Sequence, residues 1–210
     1  MKVKLTLFAL LMICFSCTSN AQKKEPNLFN FKNYKTITGA PKTEKDSAIV
    51  FVNYILDNNY MEAEKLYPDM FKIDVSPYMN EGPGYEPYLG YAGEFIVDYT
   101  TSYSNMALAV FLENKYRAYD GVYDMLLRGS VNMDSTNLAA IFLLAKLRYE
   151  NGITDDAYFL VQHMINQGPE NKEVQKINAW FNKNHKPLSN NLPTLERFMK
   201  EEVFYHGDSQ

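Results

Sequence analysis

Residues able to do chemistry are few and far apart. His163, His185 and His206 are the three histidines in 210 residues. None has a second histidine at ligand spacing, and no His-Glu-x-x-His occurs, so a zinc site has no first pair of ligands. The two thiols, Cys14 and Cys17, both fall near the start of the chain. Two cysteines can build neither a disulfide framework nor a cysteine-rich metal site. There is no Gly-x-Ser-x-Gly elbow, phosphate loop or dinucleotide fingerprint. Adjacent carboxylates such as Asp155-Asp156 and Glu201-Glu202 would diverge by about 100° on a helix and cannot converge on one bond. They read as solvated or helix-end charges, and Asp155-Asp156 stands where a helix's first turn favours negative charge. The expectation is a chain with no catalytic residue, metal or cofactor. A hydrolase built from a histidine and a carboxylate that folding brings together is the second alternative.

Tyrosine is the side chain present in unusual density. Residues 78, 85, 88, 91, 99 and 103 are six of the 16 tyrosines. Tyr91, Phe95, Tyr99 and Tyr103 recur at every fourth position, a spacing that predicts one face of one helix. A tyrosine ring is an apolar body with a polar tip, suited to core edges and to binding surfaces alike. Tyr85, Tyr88, Tyr91, Tyr99 and Tyr103 are therefore candidate ligand-binding residues for an extended peptide or a sugar, with packing between helices as the alternative. Glu81, Glu86, Glu94 and Asp98 would favour a neutral or basic ligand. Pro77, Gly82-Pro83-Gly84, Pro87 and Gly90 supply turn chemistry and mark an insertion at about residues 72–90.

The N-terminus has the organisation of an export signal. Lys2 and Lys4 precede an apolar run from Leu5 to Ser16, about twelve residues, too short for a permanent span of about 20. Ser16-Cys17 resembles the end of a bacterial lipoprotein signal, although Cys14 stands where the family usually has leucine. That resemblance implies a signal peptide over 1–16, lipidation of Cys17 and a membrane anchor in the cell envelope, on the outer membrane. Cleavage before Gln22, after Ser19-Asn20-Ala21, is the alternative and would release a soluble periplasmic or secreted protein. Residues 17–42 then read as a lipidated N-terminus and flexible tether, with Phe29, Phe31 and Tyr34 available to dock it on the body. The net charge of −4, from 21 basic and 25 acidic residues, argues against nucleic acid as a partner, because phosphate binding needs a basic face.

From residue 43 to 210 the pattern is helical. Thr43 and Asp46 predict a capped start, followed by a stripe of Ala48, Phe51, Val52, Ile55 and Leu56. Asn58-Asn59 breaks it, and Tyr60 to Tyr67 predicts a second helix. Asp134, Ser135 or Thr136 can cap a helix to about Tyr149, whose apolar run Leu138–Ala145 predicts cover on nearly every side. Further helices are expected at about 154–167, 170–184 and 193–203.

The stretch 138–170 resembles a tetratricopeptide repeat. Ala145 and Gly152 match the small residue and terminal glycine of its first helix. Ala157 and Pro169 match the small residue and closing proline of its second. Two positions depart: Ile141 stands where the family often has tryptophan, and Arg148 stands where it has an aromatic, with Tyr149 beside it. Tyr54, Asn58 and Ala63 fit the frame as a weaker copy, and Ala118, Val122 and Met125 as another. The resemblance implies an all-α, irregular array of antiparallel helix pairs, a tetratricopeptide-like α-solenoid, because a lone pair cannot bury its apolar face. It also implies a scaffold or adaptor that grips a protein or peptide partner in the envelope. A ligand-binding lipoprotein using the tyrosine-rich insertion for a glycan or peptide is the alternative.

Overall fold

The computed structural model describes Glu25 and residues 27–73, 101–116, 120–187 and 192–201. Among these, nine α-helices and one 3-10 helix occur and no strand, so the described fold is all-α. Cys17, Tyr85, Tyr88, Tyr91, Tyr99 and Ala118 lie outside the described residues, as do residues 1–16 and most of the 72–90 insertion.

The helices are α1 (Phe31–Tyr34), α2 (Glu44–Leu56), α3 (Tyr60–Leu66), α4 (Ser102–Tyr116), α5 (Asp120–Met133), α6 (Leu138–Glu150), α7 (Thr154–Gln167), α8 (Lys172–Asn184) and α9 (Leu195–Glu201), with a 3-10 turn at Pro68–Lys72. Neighbours in sequence are neighbours in space: α2 packs on α3, α4 on α5, α6 on α7, and α7 on α8. The pairs are joined to one another by α2 against α4 and α5 against α6.

Local chemistry explains most boundaries. The Thr43 hydroxyl accepts the Asp46 N–H at 3.1 Å and starts α2. Asn171 accepts from Glu173 and Val174, both at 3.1 Å, and starts α8. Asn137, rather than Asp134, Ser135 or Thr136, caps α6 through Ala140 at 3.2 Å. Asp134 is instead occupied closing the preceding turn on the Thr136 N–H at 2.9 Å. The Asn137 amide also donates to Ser102 Oγ at 2.8 Å, beside Ser130, so the cap ties α4, α5 and α6 together.

Two helices form the centre. Every residue from Ala139 to Ala145 of α6 is buried, as the apolar run predicts. Met106–Leu112 of α4 is buried in the same way. Ala63, Ala145 and Ala157 are each 0 % exposed. Gly152 ends α6 with φ +80°, a left-handed conformation that strains any side chain.

Two glycines give a test of opposite sign. A Cβ at Gly152 or at Gly129 would meet nothing within 4 Å, so sterics play no part. Gly152→Ala should cost about 1 kcal/mol through backbone strain, whereas Gly129→Ala inside α5 should gain about 0.5–1 kcal/mol. Urea midpoints at unchanged slope would report both. A neutral Gly152→Ala would show that the turn relaxes.

Candidate groove site

The chain ahead of α2 is a strap laid across the helices. Leu28, Phe29 and Phe31 are 3 %, 6 % and 3 % exposed. Phe29, Phe31 and Tyr34 dock on the body, the option the sequence left open for them, so from residue 28 the chain belongs to the folded body because its rings find apolar helix faces to cover. Phe142 of α6 is their floor. Tyr34 stacks flat on it at 4.4 Å, Phe29 meets it edge-on at 5.5 Å, and Phe31 meets it at 6.0 Å. Phe29 also packs on Tyr149 at 5.6 Å and on Phe181 of α8 at 6.5 Å.

The strap's backbone is held by side chains of the body. Asn53 of α2 donates its amide to the Lys35 carbonyl at 3.1 Å. Asn171 donates to the Tyr34 carbonyl at 3.1 Å. The Tyr149 hydroxyl accepts the Glu25 N–H at 2.7 Å. Lys32 pairs with Asp57 at the end of α2, both about half exposed, a contact that adds at most about 1 kcal/mol. Within the strap, Asn30 caps the single turn of α1 through the Lys32 and Asn33 N–H groups. Rings filling apolar sites, with amides clasping backbone carbonyls, are how proteins hold short segments of other chains.

A cavity opens on each side of the strap. One, of about 170 Å³, is walled by Tyr34, Lys35, Lys45, Tyr103, Asn137 and Glu170 among others. Tyr103, which the sequence marks as a ligand-binding candidate, thus borders it, with the Lys45 ammonium 5.6 Å above its ring. Burial, and then the neighbouring Tyr103, push the Tyr34 phenol well above its ordinary pKa, so it stays protonated. The other cavity, of about 360 Å³, is walled by Phe29, Lys32, Glu113, Tyr123, Lys146 and Glu150 among others. Burial, then Glu113 and Glu150, likewise raise the Tyr123 phenol.

A buried charge cluster lies in the body. Arg148 of α6 pairs with Asp124 of α5 and lies 3.7 Å from Asp156 of α7. Asp156 is 0 % exposed and its carboxylate oxygens have no hydrogen-bond partner. Burial pushes its carboxyl up to about 7, against the opposing pull of Arg148. Both acids stand in the first turn of α7, as the sequence predicts, but Asp156 is buried rather than solvated, which corrects that part of the reading. Burial outweighs Asp124 and Asp156 in moving Arg148, whose pKa is lowered. Arg128 of α5 donates to the Met199 carbonyl of α9. Arg148 is accommodated inside the body by this pairing, while Tyr149, one residue on, covers the strap.

Folding does bring one histidine to a carboxylate. His185 Nε2 lies 3.2 Å from Asp155. The His185 side chain is 4 % exposed and sits against the Tyr158 and Phe181 rings at 5.6 and 5.8 Å, so it clamps the end of α8 to the start of α7. It borders neither cavity. His163, half-buried in α7, has its pKa lowered by burial, and His206 lies outside the described residues. Among the described residues no three His, Cys, Asp or Glu side chains gather as a metal site, and no helix is long and apolar enough to cross a membrane.

No family model, curated protein or solved structure matches this chain.

Proposed function

We propose that this chain is an interaction scaffold whose helix pairs stack as an irregular tetratricopeptide-like solenoid and grip segments of partner proteins in the bacterial envelope. One observation carries the reading: the groove over α2, α6 and α8 already holds a peptide-like segment, through an aromatic floor at Phe142 and amide donors at Asn53 and Asn171. Stacked helix pairs present such surfaces generally, and the step from repeat to adaptor is an analogy of fold.

Lipidation of Cys17 would place the body at a membrane. Cys17→Ala should move the protein from the membrane to the soluble fraction. Partner capture from detergent-solubilised envelope should persist when Cys17→Ala protein is used as bait, since gripping and anchoring are separate. Unaltered partitioning would remove the anchor. No recovery above background, with no peptide bound by the purified protein, would remove the scaffold.

A second reading has its own observation. Tyr103 and Tyr34 border a cavity of about 170 Å³ with Lys35, Lys45 and Glu170, a size and chemistry that suit a small polar ligand or a sugar ring. Glycan binding that survives Tyr103→Ala would count against it.

A further inference from the structure

The cavity beside Tyr34 gathers groups of one kind. Tyr34 and Lys35 come from the strap, Lys45 from the first turn of α2 and Tyr103 from the first turn of α4. Each side chain ends in a hydrogen-bond donor. Among the described residues, neither ammonium has a carboxylate within 4 Å and neither phenol hydroxyl has an acceptor. Burial keeps the Tyr34 phenol protonated, so it has a proton to give. Asp134 lies near enough to Lys45 to feel its charge, but the Thr136 N–H and hydroxyl already engage that carboxylate, at 2.9 and 2.6 Å. Glu170 is the one acid on the described wall.

The rest of the wall adds to the same sign. Leu138 opens α6 and Val174 lies in the first turn of α8, and both border the cavity. With Lys45 and Tyr103, four helices thus turn their N-terminal ends, the positive ends of their dipoles, toward one space. Asn137 and Asn171 already take the leading N–H groups of α6 and α8. The helix ends therefore contribute field, and the four side chains contribute the hydrogen bonds.

We propose that this cavity, with the strap in place, binds a small molecule through an oxyanion, carboxylate or phosphate, held by Lys35, Lys45 and the hydroxyls of Tyr34 and Tyr103. The proposal rests on the second reading above, that the cavity takes a small ligand, and names the ligand's class. Its volume of about 170 Å³ is below the roughly 300 Å³ at which drug-sized sites begin, so little can follow the oxyanion. Glu170 restricts that remainder: a hydroxyl or amine can donate to it, whereas a second anionic group would be repelled. The strap is part of the site, since Asn171 and Asn53 hold the carbonyls of Tyr34 and Lys35. A ligand bound only by the strapped form adds to its stability.

Amide chemical-shift titrations of the full chain at low salt, with inorganic phosphate, acetate and glucose as probes, test the proposal. At least one anion should bind about ten-fold more tightly than glucose, and less tightly as salt rises. Phosphate alone or acetate alone would support the site and say which oxyanion it prefers. Lys45→Met should weaken the bound anion about ten-fold, as expected for one charge-assisted hydrogen bond. Tyr103→Phe keeps the ring under the Lys45 ammonium and should weaken it about three-fold. Lys42→Met, at an exposed lysine off the cavity wall, should leave it unchanged. Circular dichroism checks that each variant is folded, and bound anion should slow hydrogen exchange at the residue 34 and 35 amides. Anion binding unchanged by both Lys45→Met and Tyr103→Phe would mean an adventitious ion only and overturn the proposal. Glucose bound more tightly than either anion would overturn it and leave the second reading standing. No shift with any of the three probes would end both.

Discussion

Arg148→Met should lose about 3–5 kcal/mol of folding stability at pH 8. Methionine keeps most of the volume, so the loss is electrostatic. Arg148 is the cation between Asp124 and Asp156, and its side chain is 4 % exposed. Without it the carboxylates of Asp124 and Asp156, from α5 and α7, lose the cation between them, and Asp156 is out of reach of water. Arg128 stays near Asp156 but is tied to the Met199 carbonyl. Replacing the whole cluster by neutral groups, as Arg148→Met/Asp124→Asn/Asp156→Asn, should recover most of the loss, since a removed buried pair costs far less than a broken one. The penalty of Arg148→Met alone should shrink at pH 5, where Asp156 takes up a proton and ceases to need a cation. Urea unfolding at the two pH values measures both. A loss below about 1 kcal/mol at pH 8 would mean that the cluster is solvated.

The fold was legible wherever local chemistry acts alone. Thr43 with Asp46, Gly152 and the run Leu138–Ala145 located α2, α6 and α7 because caps, left-handed turns and apolar runs need no knowledge of the partner surface. The helix α4 was missed, although Met106–Leu112 is as apolar as the run in α6. The four-residue tyrosine frame has Tyr103 as its last member, where α4 has barely begun. Its start was readable: Thr101 and Ser104 each accept the other's N–H, at 3.1 and 3.2 Å, the reciprocal pattern that opens many helices.

The site was less legible, for a different reason. Phe29 and Phe31 lie in a lysine-rich stretch too short for any period to appear. Their floor, Phe142, is more than a hundred positions away in sequence. Arg148 and Asp156 look like surface charges until both are placed, because only the pairing makes burial tolerable. The polar tip and ring of Tyr103 are properties of the residue alone, whereas the cavity it borders exists only once α4 meets Tyr34 and Lys45.

Stability should fall by on the order of 4 kcal/mol between pH 4 and pH 8 through Asp156 alone. Burial raises its carboxyl from 3.8 to about 7 in the folded chain. In the unfolded chain the same group gives up its proton near the ordinary value. Between those two values the native state holds more protons than the unfolded state, so ΔG of unfolding declines as pH rises, and the decline is complete above about pH 7. His163 acts in the opposite sense over part of the range. Burial lowers its pKa, so its contribution is whole above about 6.5 and is lost as pH falls through the folded value. The two slopes oppose each other in the unaltered chain, and Asp156→Asn separates them. The amide is nearly isosteric with the protonated acid, so the variant should match the unaltered chain near pH 4, where the acid is protonated in the folded chain and close to its own midpoint in the unfolded one. At pH 8 it should be more stable by a few kcal/mol, because it no longer carries a charge into a site with no hydrogen-bond donor for it. Parallel stability profiles for the two chains would show that Asp156 is ionised throughout, with Arg148 alone offsetting its desolvation.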